Sequence, residues 1–266
     1  RRSRGLGDVY KRQTLESLNN NTGTIALLSS GGINGGSGTV LMRAANYAFG
    51  GADRTITTTG VLTIQPDADE NSFASSFDNQ YLNPVSVTGL TLGKSSNASA
   101  ITLSRAISLS GPVSIYGGSI DVNANITANS GNILLDADTG STLNQSSTGI
   151  LLDDAITIET VTSGNLTLIG RSGDTGSGFD GIDASSANTT TLRSAGNLTL
   201  QGYSYAASGS GRGVDLNNDV IAASGTVSMT GQHNTGATYA LSLSGSTSVT
   251  AGTGVTLESL NDNTGT

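Results

Sequence analysis

One long repeat limits the folds that this chain can adopt. Residues 14–24 read TLESLNNNTGT and residues 256–266 read TLESLNDNTGT, so the two segments agree at ten of eleven positions. Repeats of this kind are typical of extended arrays, in which each unit contacts only its neighbours. The sequence therefore predicts one super-repeat of a longer array, which would continue after Thr266 with a segment similar to residues 25–30, IALLSS.

A shorter repeat runs through the same chain and consists of a glycine followed by an alternating apolar segment. Alternation such as Leu62/Ile64 places the apolar side chains on one face of a strand and Thr or Ser on the other. The glycine before each strand allows a positive φ at the corner where the chain turns. The copies are Gly23 (TIAL), Gly38 (TVLM), Gly60 (VLTI), Gly89 (LTL), Gly111 (PVSI), Gly131 (NILL), Gly164 (NLTL), Gly196 (NLTL), Gly225 (TVSM) and Gly254 (VTL).

The later intervals also predict a second short strand, seen at 182–183, 214–216 and 241–243. The short intervals between the glycine-preceded strands and the lack of helix-forming runs argue against helical crossovers. The tripeptides at 162–164, 194–196 and 223–225 recur at one repeat phase, as stacked corners require. The predicted fold is an all-β parallel β-helix (β-solenoid) of roughly ten coils, stacked about 4.8 Å apart and without end caps.

Composition supports a narrow aliphatic core. Hydrophobic residues make up 35% of the chain but aromatic residues only 4%, while 37 residues are Gly and none is Cys or Trp. The absence of Cys excludes disulfides, thiolate catalysis and cysteine-based metal sites. No apolar run approaches the roughly 20 residues that span a bilayer.

Residues 1–13, RRSRGLGDVYKRQ, differ from the rest and carry five of the twelve basic residues. Residues 3–13 resemble a translated sequencing-library adapter, so 1–13 are predicted to be an artefactual or disordered leader, and 14–266 a single solenoid segment. The alternative is a basic targeting or nucleic-acid-binding arm, although no apolar segment follows it. Without the leader the net charge is near −12, which disfavours nucleic acid as a partner.

The repeat body from 89 to 135, GLTLGKSSNASAITLSRAISLSGPVSIYGGSIDVNANITANSGNILL, resembles filamentous-haemagglutinin-like exoproteins. The pairs GNLTLIG…GIDAS and GNLTLQG…GVDLN share this resemblance, which covers essentially all of 14–266. It implies a right-handed β-helix that forms the structural shaft of a large secreted bacterial surface adhesin, exported by two-partner secretion. The implied location is extracellular, at the bacterial cell surface. The implied partners are adjacent repeats of the same polypeptide and glycans or matrix of host or microbial surfaces.

The resemblance transfers no functional residue, and the residues themselves assign no catalytic, cofactor-binding or metal-binding site. His233 lies in GQHNTG and is interpreted as a solvated loop residue rather than a catalytic base. A polysaccharide-active β-helix enzyme is disfavoured but remains open, and would require two or three Asp with an Arg or Lys in one groove. The carboxylate groups considered are Asp67/Asp69/Glu70, Asp136/Asp138, Asp153/Asp154 and Asp174/Asp180/Asp183.

Calcium is considered at two segments. DADTG (136–140) begins like an EF-hand loop, but Ser147 stands where the twelfth-position Glu is required. GDTGSGFDGID (173–183) offers three carboxylates in a glycine-rich loop, so a weak Ca²⁺ site stays open there beside the simpler interpretation of a solvated turn. GGINGGSG (31–38) lacks the Lys of a phosphate-binding loop and is interpreted as a corner.

Three other features bear on binding. Tyr203 and Tyr205 are either exposed contact aromatics or the cover of a corner, and the inserts 65–84 and 170–187 are candidates for a carbohydrate-binding module. Asn165 and Asn197 share a repeat phase that predicts a stacked amide ladder. Asn-x-Ser/Thr sequons are expected from composition alone and occur at Asn97, Asn125, Asn144, Asn165, Asn188 and Asn197.

Overall fold

The computed structural model describes residues 12–17, 22–27, 32–50, 54–67, 70–137, 147–153, 155–174, 177–185, 188–206, 209–234 and 239–261. The described residues form strands and no helix. The strands are β1 (Arg12–Glu16), β2 (Thr24–Leu27), β3 (Ile33–Gly36), β4 (Thr39–Arg43), β5 (Asn46–Phe49), β6 (Arg54–Thr58), β7 (Val61–Gln65), β8 (Phe77–Asp78), β9 (Leu82–Val85), β10 (Gly89–Leu92), β11 (Ile101–Leu103), β12 (Ile107–Leu109), β13 (Val113–Gly117), β14 (Ile120–Val122), β15 (Ile126–Ser130), β16 (Ile133–Ala137), β17 (Ile150–Leu152), β18 (Thr157–Ser163), β19 (Leu166–Arg171), β20 (Ile182–Ala184), β21 (Thr191–Ser194), β22 (Leu198–Ser204), β23 (Val214–Asn217), β24 (Val220–Ala223), β25 (Thr226–His233), β26 (Leu241–Ser244), β27 (Ser248–Ala251) and β28 (Gly254–Asn261).

The strands stack as a parallel β-solenoid, which confirms the predicted fold class. Successive strands occupy three positions in turn, and strands three places apart pair with each other, except that β5 does not pair with β8 or β9 with β12. The first position forms one ten-stranded sheet, β1-β4-β7-β10-β13-β16-β19-β22-β25-β28, called the long sheet below. The second position holds a two-stranded sheet, β2-β5, and a seven-stranded sheet from β8 to β26; the third holds β3-β6-β9 and a six-stranded sheet from β12 to β27.

The long sheet contains nine of the ten predicted glycine-preceded strands. Gly23-TIAL is the exception, because β2 pairs with β5 in the second position instead. The first strand of the long sheet is β1, which contains Thr14–Glu16 of the long repeat and begins at Arg12, two residues before the predicted solenoid boundary. The predicted second strands at 182–183, 214–216 and 241–243 are confirmed as β20, β23 and β26.

Two inward-facing columns of the long sheet form one side of the core, which inward-facing side chains of the other sheets complete. Their side chains are at most 2% exposed from β4 to β25, because every strand is covered by the strands on both sides. Outward positions between the columns carry mostly Thr and Ser. The first column is Val40, Leu62, Leu90, Val113, Ile133, Leu166, Leu198 and Val227. The second column is Met42, Ile64, Leu92, Ile115, Leu135, Leu168, Leu200 and Met229.

An aromatic cluster departs from the expected aliphatic core. Tyr47, Phe49, Phe73 and Phe77 have ring centroids 5.5–6.1 Å apart. They line a cavity of about 30 Å³ where the second-position sheet is interrupted between β5 and β8. An unbroken strand stack would leave no such space, and at the interruption the larger aromatic side chains fill it. Burial raises the pKa of the Tyr47 hydroxyl, which donates a hydrogen bond to the Gln65 carbonyl at 2.8 Å.

Candidate functional site

The carboxylate cluster comprises Asp180, Asp183 and Asp215. Asp183 of β20 and Asp215 of β23 are register partners in neighbouring strands, so their side chains lie one strand spacing apart on the same side of the sheet. Asp180 lies just before β20. One carboxylate oxygen from each residue lies within 4.8 Å of the other two. The loop prediction identified Asp180 and Asp183; Asp215 was missed because it belongs to the next coil and joins them only through strand stacking.

Arg212 ties the cluster together. Its guanidinium forms an ion pair with Asp215, and its backbone N–H donates a hydrogen bond to Oδ1 of Asp180. Asp215 and Asp180 are only 4% and 8% exposed, whereas Asp183 is half-buried. The structure therefore places two of the three carboxylates beneath the surface.

Burial dominates the electrostatics of this cluster. The pKa of Asp180 is raised to about 7, mainly by burial and also by the neighbouring carboxylates of Asp183 and Asp215, against the opposing effects of the hydrogen bond and charge of Arg212. A second buried carboxylate, Asp219, has its pKa raised to about 6 by burial. It accepts hydrogen bonds from the backbone N–H groups of Thr190 and Asn217 at 3.0 and 2.9 Å.

The chemistry open to this cluster is limited by access. Three clustered carboxylate oxygens match the ligands that Ca²⁺ prefers, but a cation would compete with the Arg212 guanidinium for Asp215. A protonated carboxyl beside ionised ones is also the pattern of glycoside hydrolysis. A polysaccharide must touch both catalytic carboxyls, and here Asp180 and Asp215 are buried.

The other carboxylates that were considered and that the structure describes do not join this cluster. Asp174 is not one of its three members, and its Oδ1 is buried with no hydrogen-bond partner among the described residues. Asp136 forms an ion pair with Arg171 at 2.9 Å. Asp67 is 3% exposed, and the Nζ of Lys94 donates to its backbone carbonyl at 3.3 Å. Asp69, Asp138, Asp154 and most of the segment 136–147 lie outside the described residues.

His233 is not a solvated loop residue, so that interpretation was wrong. It is the last residue of β25 and is 6% exposed. The alternation of that strand turns Val227, Met229 and His233 inward, and the polar sequence GQHNTG concealed that the strand extends this far. Its Nδ1 has no hydrogen-bond partner among the described residues.

Tyr203 and Tyr205 form a small surface group with Arg171. The two rings are nearly parallel, with an interplanar angle of 12° and centroids 6.5 Å apart. The Arg171 guanidinium carbon lies 5.5 Å from the Tyr203 ring centroid, consistent with a cation–π contact. Arg171 and Tyr203 are register partners in β19 and β22, and all three side chains are half-buried.

Asn165 and Asn197 do stack in successive coils at the predicted phase, together with Asn132, but the hydrogen bonds of this ladder join side chain to backbone rather than one side-chain amide to another. The backbone N–H of Asn165 donates to Oδ1 of Asn132 at 2.9 Å, that of Asn197 donates to Oδ1 of Asn165 at 2.8 Å, and that of Thr226 donates to Oδ1 of Asn197 at 2.9 Å. Each side chain thus hydrogen-bonds the backbone of the next coil.

The glycines beside this ladder are explained mainly by close packing. The sequence indicated that glycine permits a positive φ before these strands, and Gly131 and Gly164 adopt one, 117° and 114°. At Gly196 and Gly225 a Cβ atom would lie 2.4 and 2.2 Å from the Oδ1 of Asn165 and Asn197. Glycine is therefore needed there because the coils approach closely.

Burial also bears on whether one sequon can be glycosylated and on whether the two candidate inserts are surface loops. Asn97 is 0% exposed and its Nδ2 donates to the Tyr116 carbonyl at 2.9 Å, so this site cannot carry a glycan. The insert 65–84 contains β8 and buries Phe73 and Phe77. The insert 170–187 contains β20, so it is not a dispensable loop. Asn144 lies outside the described residues.

Comparisons with known proteins identify no family for this chain. The chain matches no protein-family model, no curated protein and no solved structure. Within the described residues there is no helix with the length and hydropathy needed to cross a membrane.

Proposed function

We propose that this chain is a structural shaft segment of a large secreted bacterial surface adhesin. The observation that carries the proposal is the long sheet, in which ten parallel strands stack without interruption over two buried apolar columns. Such a stack gives a stiff, extended body in which each coil is held by its neighbours. The resemblance of the repeats to filamentous-haemagglutinin-like exoproteins supports the adhesin, its secretion and its cell-surface location.

The outward face of the long sheet supports the same proposal. Its central column carries hydroxyl side chains at nearly every strand and few charges, so it offers many weak, equivalent contacts and no single strong site. The column is Thr14, Leu41, Thr63, Thr91, Ser114, Leu134, Thr167, Thr199, Ser228 and Thr256. Repetition along the shaft would supply avidity to glycan or matrix through multivalency.

Surface display tests the proposal. The full chain is anchored on a non-adherent bacterial strain, and attachment to epithelial cells and to matrix-coated surfaces is counted. Displayed Leu200→Ala, which weakens the stack, is the matched control. Several-fold greater attachment with the unmodified chain supports an adhesin shaft. Equal attachment of displaying and non-displaying bacteria contradicts it.

A carbohydrate-binding module is the second candidate, and the surface group of Arg171, Tyr203 and Tyr205 favours it. Parallel aromatic rings beside a guanidinium offer the apolar face and hydrogen-bond donors that sugars bind. Tyr203→Ala should then abolish retention of the chain on a glycan array, while Tyr239→Ala, which removes a 60% exposed ring elsewhere, leaves it unchanged. Equal retention of both variants rejects this candidate.

A polysaccharide-active enzyme ranks third. Three Asp and an Arg do lie together, as such an enzyme requires, but two of the carboxylates are buried. Incubation of the chain with acidic and neutral polysaccharides tests it through the release of reducing or unsaturated ends. Release that is lost in Asp183→Asn would favour the enzyme over the shaft.

A further inference from the structure

The two copies of the long repeat occupy equivalent places at opposite edges of the long sheet. Residues 14–16 lie in β1, and residues 256–258 lie in β28. Following the register from strand to strand places Thr14 and Thr256 in the same outward column, through Leu41, Thr63, Thr91, Ser114, Leu134, Thr167, Thr199 and Ser228. The period of the long repeat therefore corresponds to a whole number of coils.

Each copy shows half of the strand pairing that a strand inside the long sheet would have. Among the described residues, β1 has a partner on one side only, where it pairs with β4. Within the same residues, β28 has a partner on the opposite side only, where it pairs with β25. A TLES strand with both neighbours would lie between a β25 strand and a β4 strand.

The open side of β28 is apolar at the positions that are buried elsewhere. Val255 and Leu257 are each 48% exposed, whereas Val227 and Met229, the preceding members of the same two columns, are fully buried. In the other copy, Leu15 packs against Met42 of β4. The exposed side of Leu257 is thus the side that its counterpart covers with β4.

A charge pair supplies a second, independent match. Glu16 of β1 forms an ion pair with Arg43 of β4 at 2.8 Å. Its counterpart Glu258 accepts a hydrogen bond from Thr230 of β25 at 3.4 Å, on the side that is already covered. The side that faces away from β25 is where an arginine equivalent to Arg43 would be placed.

We infer that the open edge of β28 docks the β4 strand of a second copy of this repeat unit, in the register seen between β1 and β4. Val255 would pair with Val40, Thr256 with Leu41, Leu257 with Met42 and Glu258 with Arg43. The inference goes beyond the proposed function and does not depend on it, since an array of this kind serves any role of the rod.

A tandem protein tests the inference. The full chain is followed directly by residues 25–266 of a second copy, so position 256 of the first copy and position 41 of the second are separated by the same length of chain as Thr14 and Leu41. The chain has no cysteine, so any disulfide that forms must join the introduced cysteines. Matched pairs are Thr256→Cys with Leu41→Cys and Glu258→Cys with Arg43→Cys, the second member always in the second copy. Mismatched pairs are Thr256→Cys with Arg43→Cys and Glu258→Cys with Leu41→Cys.

Each substitution occurs once in a matched and once in a mismatched pair, so a folding defect of one variant cannot produce the expected difference. Matched Cα atoms would lie about 4.8 Å apart, within disulfide range, and mismatched ones about 8 Å apart, so matched pairs should oxidise at least about five-fold more completely. In the single-copy chain, positions 41 and 256 lie eight strand spacings or about 38 Å apart and should stay reduced. Equal oxidation of matched and mismatched pairs, or none in either, would overturn the inference.

Discussion

The backbone N–H of Asn197 donates a hydrogen bond of 2.8 Å to the side-chain Oδ1 of Asn165, a residue of the preceding coil. This bond joins the corners of two successive coils, and the same bond recurs between Asn132 and Asn165. A side chain in one coil thus completes the backbone hydrogen bonding of the next. The corners as well as the sheets therefore hold the stack together.

Removing one rung of this ladder should destabilise the fold modestly. Asn165→Ala leaves the Asn197 N–H without its acceptor, and a lost hydrogen bond of this kind costs about 1 kcal/mol. The free energy of unfolding from urea titration measures the effect. Asn129→Ala, at an exposed position of β15, is the matched control and should change the value by much less. Equal effects would show that the ladder contributes nothing specific.

A methyl group at Gly164, just before β19, should be far more costly than one at Gly254, the first residue of β28. A Cβ at Gly164 would lie 2.0 Å from the carbonyl oxygen of Gly131, and its φ of 114° is unfavourable for any side chain. At Gly254 a Cβ meets nothing within 4 Å. Gly164→Ala should therefore lower the free energy of unfolding by about 3 kcal/mol and Gly254→Ala by less than about 1 kcal/mol. Similar midpoints in urea for both variants would contradict the close approach of the coils.

The cost of deleting a core side chain should depend on its place in the column. Leu200 and Leu257 belong to the same inward column, but Leu200 is fully buried and Leu257 is 48% exposed. Leu200→Ala should cost about 3 kcal/mol and Leu257→Ala about 1 kcal/mol, because only the first leaves an enclosed cavity. Thermal unfolding of the two variants provides the comparison. A larger loss at Leu257 would mean that the last strand is covered in solution.

Raising the pH from 4 to 8 should weaken the fold through Asp180 and Asp219. The ordinary pKa of Asp is 3.8, whereas burial raises the pKa of Asp180 to about 7 and that of Asp219 to about 6. Between these values the folded chain retains protons that the unfolded chain has released. The stability contributed by these groups is therefore present at acidic pH and lost as the pH rises through the folded pKa values.

Asp180→Asn isolates this effect, because the amide oxygen can still accept the Arg212 N–H while the charge is gone. The variant should gain on the order of 2 kcal/mol over the unmodified chain at pH 8 and almost nothing at pH 4. Glu258→Gln, at an exposed position of β28, is the control and should leave the pH dependence unchanged. An Asp180→Asn variant with the same dependence of unfolding free energy on pH as the parent would refute the burial of that charge.

Local pattern was sufficient to predict the fold class. Alternation at Leu62/Ile64 and Leu166/Leu168, with glycine before each strand, correctly indicated stacked parallel strands, and the shared phase of Asn165 and Asn197 correctly indicated a ladder. The third-position strands were not predicted. Strands such as Thr157–Ser163 and Thr191–Ser194 carry mostly polar side chains, so period-two alternation of apolar residues is weak in them.

Only two of the three residues in the carboxylate cluster were predicted, for a different reason. Asp180 and Asp183 are neighbours in sequence, but Asp215 and Arg212 reach them through the pairing of β20 with β23. That register depends on coil lengths that sequence pattern does not determine. The inward direction of His233 and the aromatic cluster around Phe77 likewise depend on where strands end and where a sheet is interrupted.

Distances along the long sheet test the parallel stack most directly. Nitroxide labels attached to cysteines introduced in pairs, Thr63 with Thr167, Thr199 or Ser228, lie four, five and six strands apart in one outward column. Pulsed electron paramagnetic resonance should give distances of about 19, 24 and 29 Å, rising by about 4.8 Å for each strand. Distances that do not increase linearly with strand number, as in a compact globule or an antiparallel meander, would contradict the solenoid.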